Sequence, residues 1–148
     1  MERTLLDSDV VYLAGGNTFY FLKHLRRSGM MPTLRRFAAD GGVIAGLSAG
    51  ALLLTPHIGL AGYPAFDRDE NEVGLRNEHA LGLVGFEFFP HYRSSARLRE
   101  ALIRYSRRSS NPLYACRDGS GLVVEGDRFT AHGDVYLFDR GRVRKIGP

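Results

Sequence analysis

The sequence contains one cysteine, Cys116, so no disulfide can form within the chain. A lone thiol fits a reducing compartment, and a cytoplasmic location is expected. No apolar run is long enough to cross a bilayer, and the start, Met1-Glu2-Arg3-Thr4, runs into Leu5-Leu6 without an extended apolar region. Neither a membrane partner nor a signal peptide is expected. Lysine is scarce: of 20 Lys and Arg residues only Lys23 and Lys145 are lysines. The formal net charge of +4 favours acidic partners, but no basic motif interleaved with aromatics accompanies it, which argues against nucleic acid. Internal repeats and low-complexity tracts are absent. What remains is a chain of 148 residues, 44% hydrophobic, which reads as a single domain over 1–148 burying about two-thirds of its unfolded surface.

The centre of the chain is Gly42-Val43-Ile44-Ala45-Gly46-Leu47-Ser48-Ala49-Gly50-Ala51-Leu52-Leu53-Leu54. It opens as a buried strand and closes as the start of a buried helix. Between them, Gly46 to Gly50 fits G-x-S-x-G, the pattern of a nucleophile elbow. A serine in so sharp a turn needs small residues two before and two after it, or the backbone clashes. The helix that follows would turn free N–H groups and its positive dipole end toward the serine. The plain alternative is a tight turn whose serine caps the helix.

Ahead of this stretch, Val10 to Ala14 reads as a buried strand, and Phe19 to Arg27 as a helix capped by Asn17 or Thr18 and stopped at Gly29. Pro32 suits the first turn of a second helix carrying Leu34, Phe37 and Ala38. Strand, helix, helix, strand, helix argues a parallel sheet covered by helices. Gly15-Gly16 and Ser48 then share its carboxyl edge, where ligands of such sheets bind. Residues 55 to 82 read as loop, with Asp67-Arg68-Asp69-Glu70-Asn71-Glu72 a solvated charge run or a lid. That run lacks the glycine and spacing of a calcium loop, so no metal is expected.

Val84 to Phe89 reads as a strand delivering Pro90-His91-Tyr92 to its end. Ser94 or Ser95 caps a helix to about Arg108, with Leu98, Ala101, Leu102 and Tyr105 on its apolar face and arginines elsewhere. Leu113 to Cys116 is a further strand, and Asp118 follows it. Cys116 reads as a small buried residue. Segments 122–125, 128–132, 135–138 and 142–146, parted by turn residues, read as an antiparallel meander. Ser48, His91 and Asp118 each leave a strand end, in the order Ser, His, acid. A serine hydroxyl needs a neutral imidazole to take its proton, and the imidazole needs a carboxylate to fix its tautomer.

Ala14-Gly15-Gly16-Asn17-Thr18-Phe19, Gly46-Leu47-Ser48-Ala49-Gly50-Ala51 and Pro90-His91-Tyr92 together resemble the peptidase E family, which holds α-aspartyl dipeptidases and, more distantly, cyanophycinases. The resemblance implies an α/β fold: a mainly parallel sheet sandwiched by helices, class I glutamine-amidotransferase-like, with the meander at its C-terminus. It implies a serine peptidase with Ser48 as nucleophile, His91 as general base and an oxyanion hole from the N–H groups of Gly16 and Ala49, needing no metal or other cofactor. The substrate it implies is a small peptide, foremost a dipeptide with N-terminal aspartate. Asn17 and Arg93 are candidate substrate contacts, with Arg68 and Arg76 as further cations for the aspartate carboxylate. Two acids compete for the triad: Asp118, and the loop group Asp67, Asp69 and Glu70. Members of the family usually carry further βα units before the Gly-Gly-Asn-Thr strand, where this sequence has nine residues. That leaves an open apolar edge, for which a homodimer is the expected cover. A catalytically idle relative that binds a peptide or protein is the alternative reading.

Overall fold

A computed structural model describes residues 2–148. The chain forms two compact units, one ending at Leu83 and one running from Val84 to Pro148.

In the first unit a short helix α1 (Glu2–Leu6) precedes strand β1 (Val10–Leu13), helices α2 (Thr18–Arg27) and α3 (Met31–Ala39), strand β2 (Val43–Gly46) and the single turn α4 (Ala49–Leu52). Strands β1 and β2 pair in parallel, Val10 with Val43 through Leu13 with Gly46. Helix α2 forms because Phe19, Leu22 and Leu25 recur on one face and are buried, while Asn17 Oδ1 accepts from Tyr20 N at 3.0 Å and caps its first turn. Pro32 opens α3, which buries Met31, Leu34 and Phe37. Each such fully buried side chain contributes about 2 kcal/mol of transfer free energy. Helix α1, which packs on α3, has no counterpart in the sequence reading: five residues are too few to show a period.

The first strand is buried on one face only, a correction to the expectation of a strand enclosed on both. Leu13 is inside, but Val10 and Tyr12 are 53% and 59% exposed and Val43 56%. These residues share the sheet face that no described element covers, and the run of apolar residues in the sequence carries no mark of which face is covered.

Residues 55–83 hold only a 3-10 turn (Gly59–Gly62) and an isolated bridge between His57 and His79, yet they are tied down throughout. Backbone bonds join Ile58 N to Glu78 O at 2.9 Å and Leu81 N to Leu53 O at 2.9 Å. Lys23 Nζ donates to Val73 O at 3.0 Å, Arg35 to the carbonyls of Leu81 and Ala80 at 2.9 and 3.0 Å, and Arg26 to those of Asn77 and His79. Part of the positive charge that sequence reading could assign to acidic partners is spent on these carbonyls.

In the second unit β3 (Glu87–Phe89) leads through helix α5 (Ala96–Ser106) to β4 (Leu113–Cys116), with which it pairs in parallel. Ser95 Oγ accepts from Leu98 N at 3.2 Å at the start of α5, and Leu98, Ala101 and Leu102 are buried beneath it. The later strands are β5 (Gly121–Glu125), β6 (Arg128–His132), β7 (Val135–Asp139) and β8 (Arg142–Lys145). They are antiparallel, as expected, but they do not form one meander. Strands β5 and β6 make a separate hairpin, while β7 joins β4 and pairs with β8, giving the order β3-β4-β7-β8. Leu113, Val135 and Phe138 are fully buried in that sheet, whereas Val123, Val124 and Phe129 of the hairpin are exposed. Glu87, 1% exposed, accepts from Tyr105 Oη at 2.5 Å and from Ser109 Oγ, so its buried carboxylate is solvated by hydroxyls.

Candidate functional site

Ser48 stands between β2 and α4 with φ 53° and ψ −111°, a backbone conformation that L residues rarely adopt. The glycines on either side make the turn possible by their lack of a side chain. A Cβ on Gly46 would lie 2.7 Å from backbone atoms of Ala51, and one on Gly50 would lie 2.0 Å from Leu13 O. Chain is packed against chain at both positions. Helix α4 spans four residues, so its macrodipole is small, and the N–H groups of Gly50, Ala51 and Leu52 donate to the carbonyls of Leu47 and Ser48.

The turn after β1 borders this elbow: a Cβ on Gly15 would lie 3.6 Å from Ser48 Cβ. Gly16 has φ +138°, which glycine alone adopts without strain. Among the described residues, the N–H groups of Gly16 and Ala49 make no hydrogen bond. Asn17, a candidate substrate contact, has both ends of its amide engaged, capping α2 with Oδ1 and donating from Nδ2 to Glu70 O at 2.9 Å.

In the second unit His91 follows β3 with φ 56°. Tyr92 N donates to Cys116 O at 2.9 Å, which fixes the chain beyond His91 to the end of β4. Asp118 lies on the turn leaving β4, closed by Ser120 N to Arg117 O at 3.0 Å. The two ends meet: His91 Nδ1 is 2.6 Å from Asp118 Oδ1. Their side chains are 61% and 81% exposed, so the contact orients the ring more than it stabilises the fold. Arg93 is exposed two residues beyond, and a cavity in the same unit is lined by Tyr92, Ser94, Ser95, Ala96, Arg99 and Tyr136. Burial pushes the Cys116 thiol up to about 12, which keeps it protonated and a poor nucleophile.

The loop acids have other partners. Asp69 Oδ2 accepts from Thr18 N at 2.7 Å and Thr18 Oγ1 at 2.6 Å, and Glu70 pairs with Arg68 at 3.2 Å. The role of Asp69 at the start of α2 escaped sequence reading, because 51 residues separate the partners and no local pattern links them. No group of three or more His, Cys, Asp or Glu among the described residues could hold a metal ion. No helix among them is long and apolar enough to cross a membrane.

The family model described as Peptidase family S51 matches residues 1–132. An uncharacterized peptidase of Listeria monocytogenes, Lmo0363, is 37% identical over 91 residues, covering 62% of this chain and 43% of that protein. A Streptomyces coelicolor protein named Peptidase E is 30% identical over 148 residues, covering 91% of this chain and 57% of that protein. The chain thus spans about half the length of these curated relatives. A crystal structure from Listeria monocytogenes EGD-e, provisionally assigned to peptidase E, matches with a TM-score of 0.72 at 26% identity, covering 88% of this chain and 62% of that one. A peptidase from an acI-B1 Actinobacterium matches with a TM-score of 0.71 at 16% identity, over 99% of this chain and 59% of that one, and shares the fold.

Proposed function

The chain belongs to peptidase family S51, and from that premise we propose that it is a serine peptidase of small peptides, foremost dipeptides with N-terminal aspartate, in which Ser48, His91 and Asp118 act together within one domain over 1–148. The observation that carries the reading is the elbow: Ser48 in a strained backbone, with Gly46 and Gly50 packed to backbone contact on either side. A serine that merely caps a helix needs neither, and this one makes no side-chain cap bond.

The roles follow from the chemistry of each group. His91 donates Nδ1–H to Asp118, which leaves the lone pair on Nε2 to take the proton of Ser48 Oγ. The oxygen attacks the scissile carbonyl, and the negative charge that develops falls to the N–H groups of Gly16 and Ala49. The imidazolium gives its proton to the departing amine, and water then hydrolyses the acyl-enzyme by the same route. Asp118 is preferred to the loop acids because it holds the imidazole, whereas Asp69 is engaged by Thr18 and Glu70 by Arg68. The cations proposed to meet a substrate carboxylate are Arg93, two residues beyond His91, and Arg99, which lines the cavity. The single cysteine supports a cytoplasmic location.

The test is a panel of dipeptides with the unsubstituted chain and Ser48→Ala, together with labelling by a serine-directed covalent inhibitor. Asp-Leu is cleaved well and Asn-Leu poorly, and Ser48 carries the label. Equal rates on the two dipeptides would remove aspartate recognition. Turnover by Ser48→Ala at the unsubstituted rate would remove the serine mechanism.

A further inference from the structure

The turn that holds Gly16 is not fixed by local bonds alone. Gly15 and Gly16 are conformationally permissive, and the local bond that follows them, Tyr20 N to Asn17 Oδ1 at 3.0 Å, holds Asn17 to α2. A further constraint comes from a distant segment. Asp69 Oδ2 accepts both the N–H and the hydroxyl of Thr18, at 2.7 and 2.6 Å, and Thr18 is 1% exposed. Asn17 Nδ2 donates to Glu70 O at 2.9 Å. The segment is itself anchored, with Asp69 N donating to Ala61 O at 2.8 Å. It also packs closely on α2, where a Cβ on Gly62 would lie 3.3 Å from the ring of Phe19. Residues 61–70 therefore form a strap that pins the two residues immediately after Gly16.

We propose that Asp69 is a positioning residue of the active site: by clamping Thr18 it sets the direction of the Gly16 N–H beside Ser48. This rests on the reading of Gly16 as an oxyanion donor. A carboxylate is suited to the task, because it accepts two bonds at one oxygen and complements the N-terminus of α2. The role is distinct from that of the triad acid, since Asp69 acts on a backbone turn and leaves the imidazole alone.

The experiment compares Asp69→Ala, Asp69→Asn and Thr18→Val with the unsubstituted chain. It measures kcat, KM, the pH profile and the rate at which Ser48 is labelled by a serine-directed phosphonate. Loss of an oxyanion donor costs about 10² to 10³ in kcat, so a misdirected one in Asp69→Ala should cost about 10- to 100-fold, with KM nearly unchanged. Asparagine retains an acceptor and should restore most of that loss. The acid side of the pH profile should not move, because His91 and Asp118 are untouched. Should Asp69→Ala fail to fold, Thr18→Val, which deletes one of the two bonds at nearly constant volume, carries the test with a loss of roughly tenfold. Unchanged kcat in the alanine or valine variant, an effect confined to KM, a shifted pH profile, or an asparagine variant as inactive as the alanine one would each overturn the proposal. If the unsubstituted chain labels at Ser48 and these results appear, the proposal fails alone. If Ser48 does not label in the unsubstituted chain, the serine reading falls and this proposal falls with it.

Discussion

A serine held at φ 53° and ψ −111° costs on the order of 1–3 kcal/mol relative to a relaxed residue. Strain of this kind clusters at functional sites, which accords with the nucleophile role proposed for Ser48. Ser48→Ala should accordingly lower kcat by about 10⁴ or more while leaving the fold in place, read by steady-state kinetics beside circular dichroism. Asp118→Asn should lower it by about 10² to 10⁴, because asparagine cannot hold the imidazole in the tautomer that frees Nε2. If a change at Asp67 or Glu70 abolishes activity while Asp118→Asn does not, the acid is misassigned. Cys116 offers a contrasting case on the strand that leads to Asp118. Burial disfavours its thiolate and holds its pKa at about 12, so at neutral pH the thiol stays protonated. Native protein should therefore resist a thiol reagent at pH 7 to 8, and denatured protein should react at once. Rapid modification of the native chain would show that β4 opens readily.

The elements show how far a one-dimensional reading reaches. Helices α2, α3 and α5 were legible because apolar residues recur at helical spacing, and two starts were marked to within a residue, by Asn17 or Thr18 and by Ser94 or Ser95, of which Asn17 and Ser95 make the caps. The elbow was legible because its pattern places small residues two before and two after Ser48; the local part of that requirement is Gly46 against Ala51, whereas the close approach of Leu13 O to Gly50 comes from the neighbouring strand. The prediction at this scale follows from the 2.0 Å separation between Leu13 O and a Cβ at residue 50. Gly50→Ala must push β1 away from the elbow and should destabilise the chain by about 3 kcal/mol in a denaturant titration, because overpacking against backbone has no side chain to yield. A variant of unchanged midpoint would mean the turn is looser than its geometry. What was not legible depends on pairing across distance. The anchoring of residues 55 to 82 was not legible because the carbonyls they present to Lys23, Arg26 and Arg35 belong to the backbone, which sequence does not distinguish. The meander reading failed to divide β5–β6 from β7–β8 for a similar reason, since strands of like composition do not announce their partners.

At the scale of the molecule the open question is the bare face of the β1–β2 sheet. Parallel sheets are ordinarily covered on both sides, yet Val10, Tyr12, Val43 and Leu47 are each more than half exposed in this chain. Val10 and Tyr12 alternate along β1, and the register sets Val10 against Val43 and Tyr12 against Ala45, so the apolar groups form a continuous patch. Patches of this kind are uncommon on monomers and draw partners or promote aggregation. A second copy of the chain presenting the same patch is the simplest cover, since a two-fold interface is self-complementary by construction. We expect a dimer by light scattering at micromolar concentration. Tyr12→Glu and Val43→Glu should each shift it toward monomer, because each buries a carboxylate without a partner in the interface. Their effect on the fold should be small, because both residues are already exposed within one chain. A chain that remains monomeric and soluble with this face bare would overturn the dimer. A dimer indifferent to both substitutions would place the interface on another face.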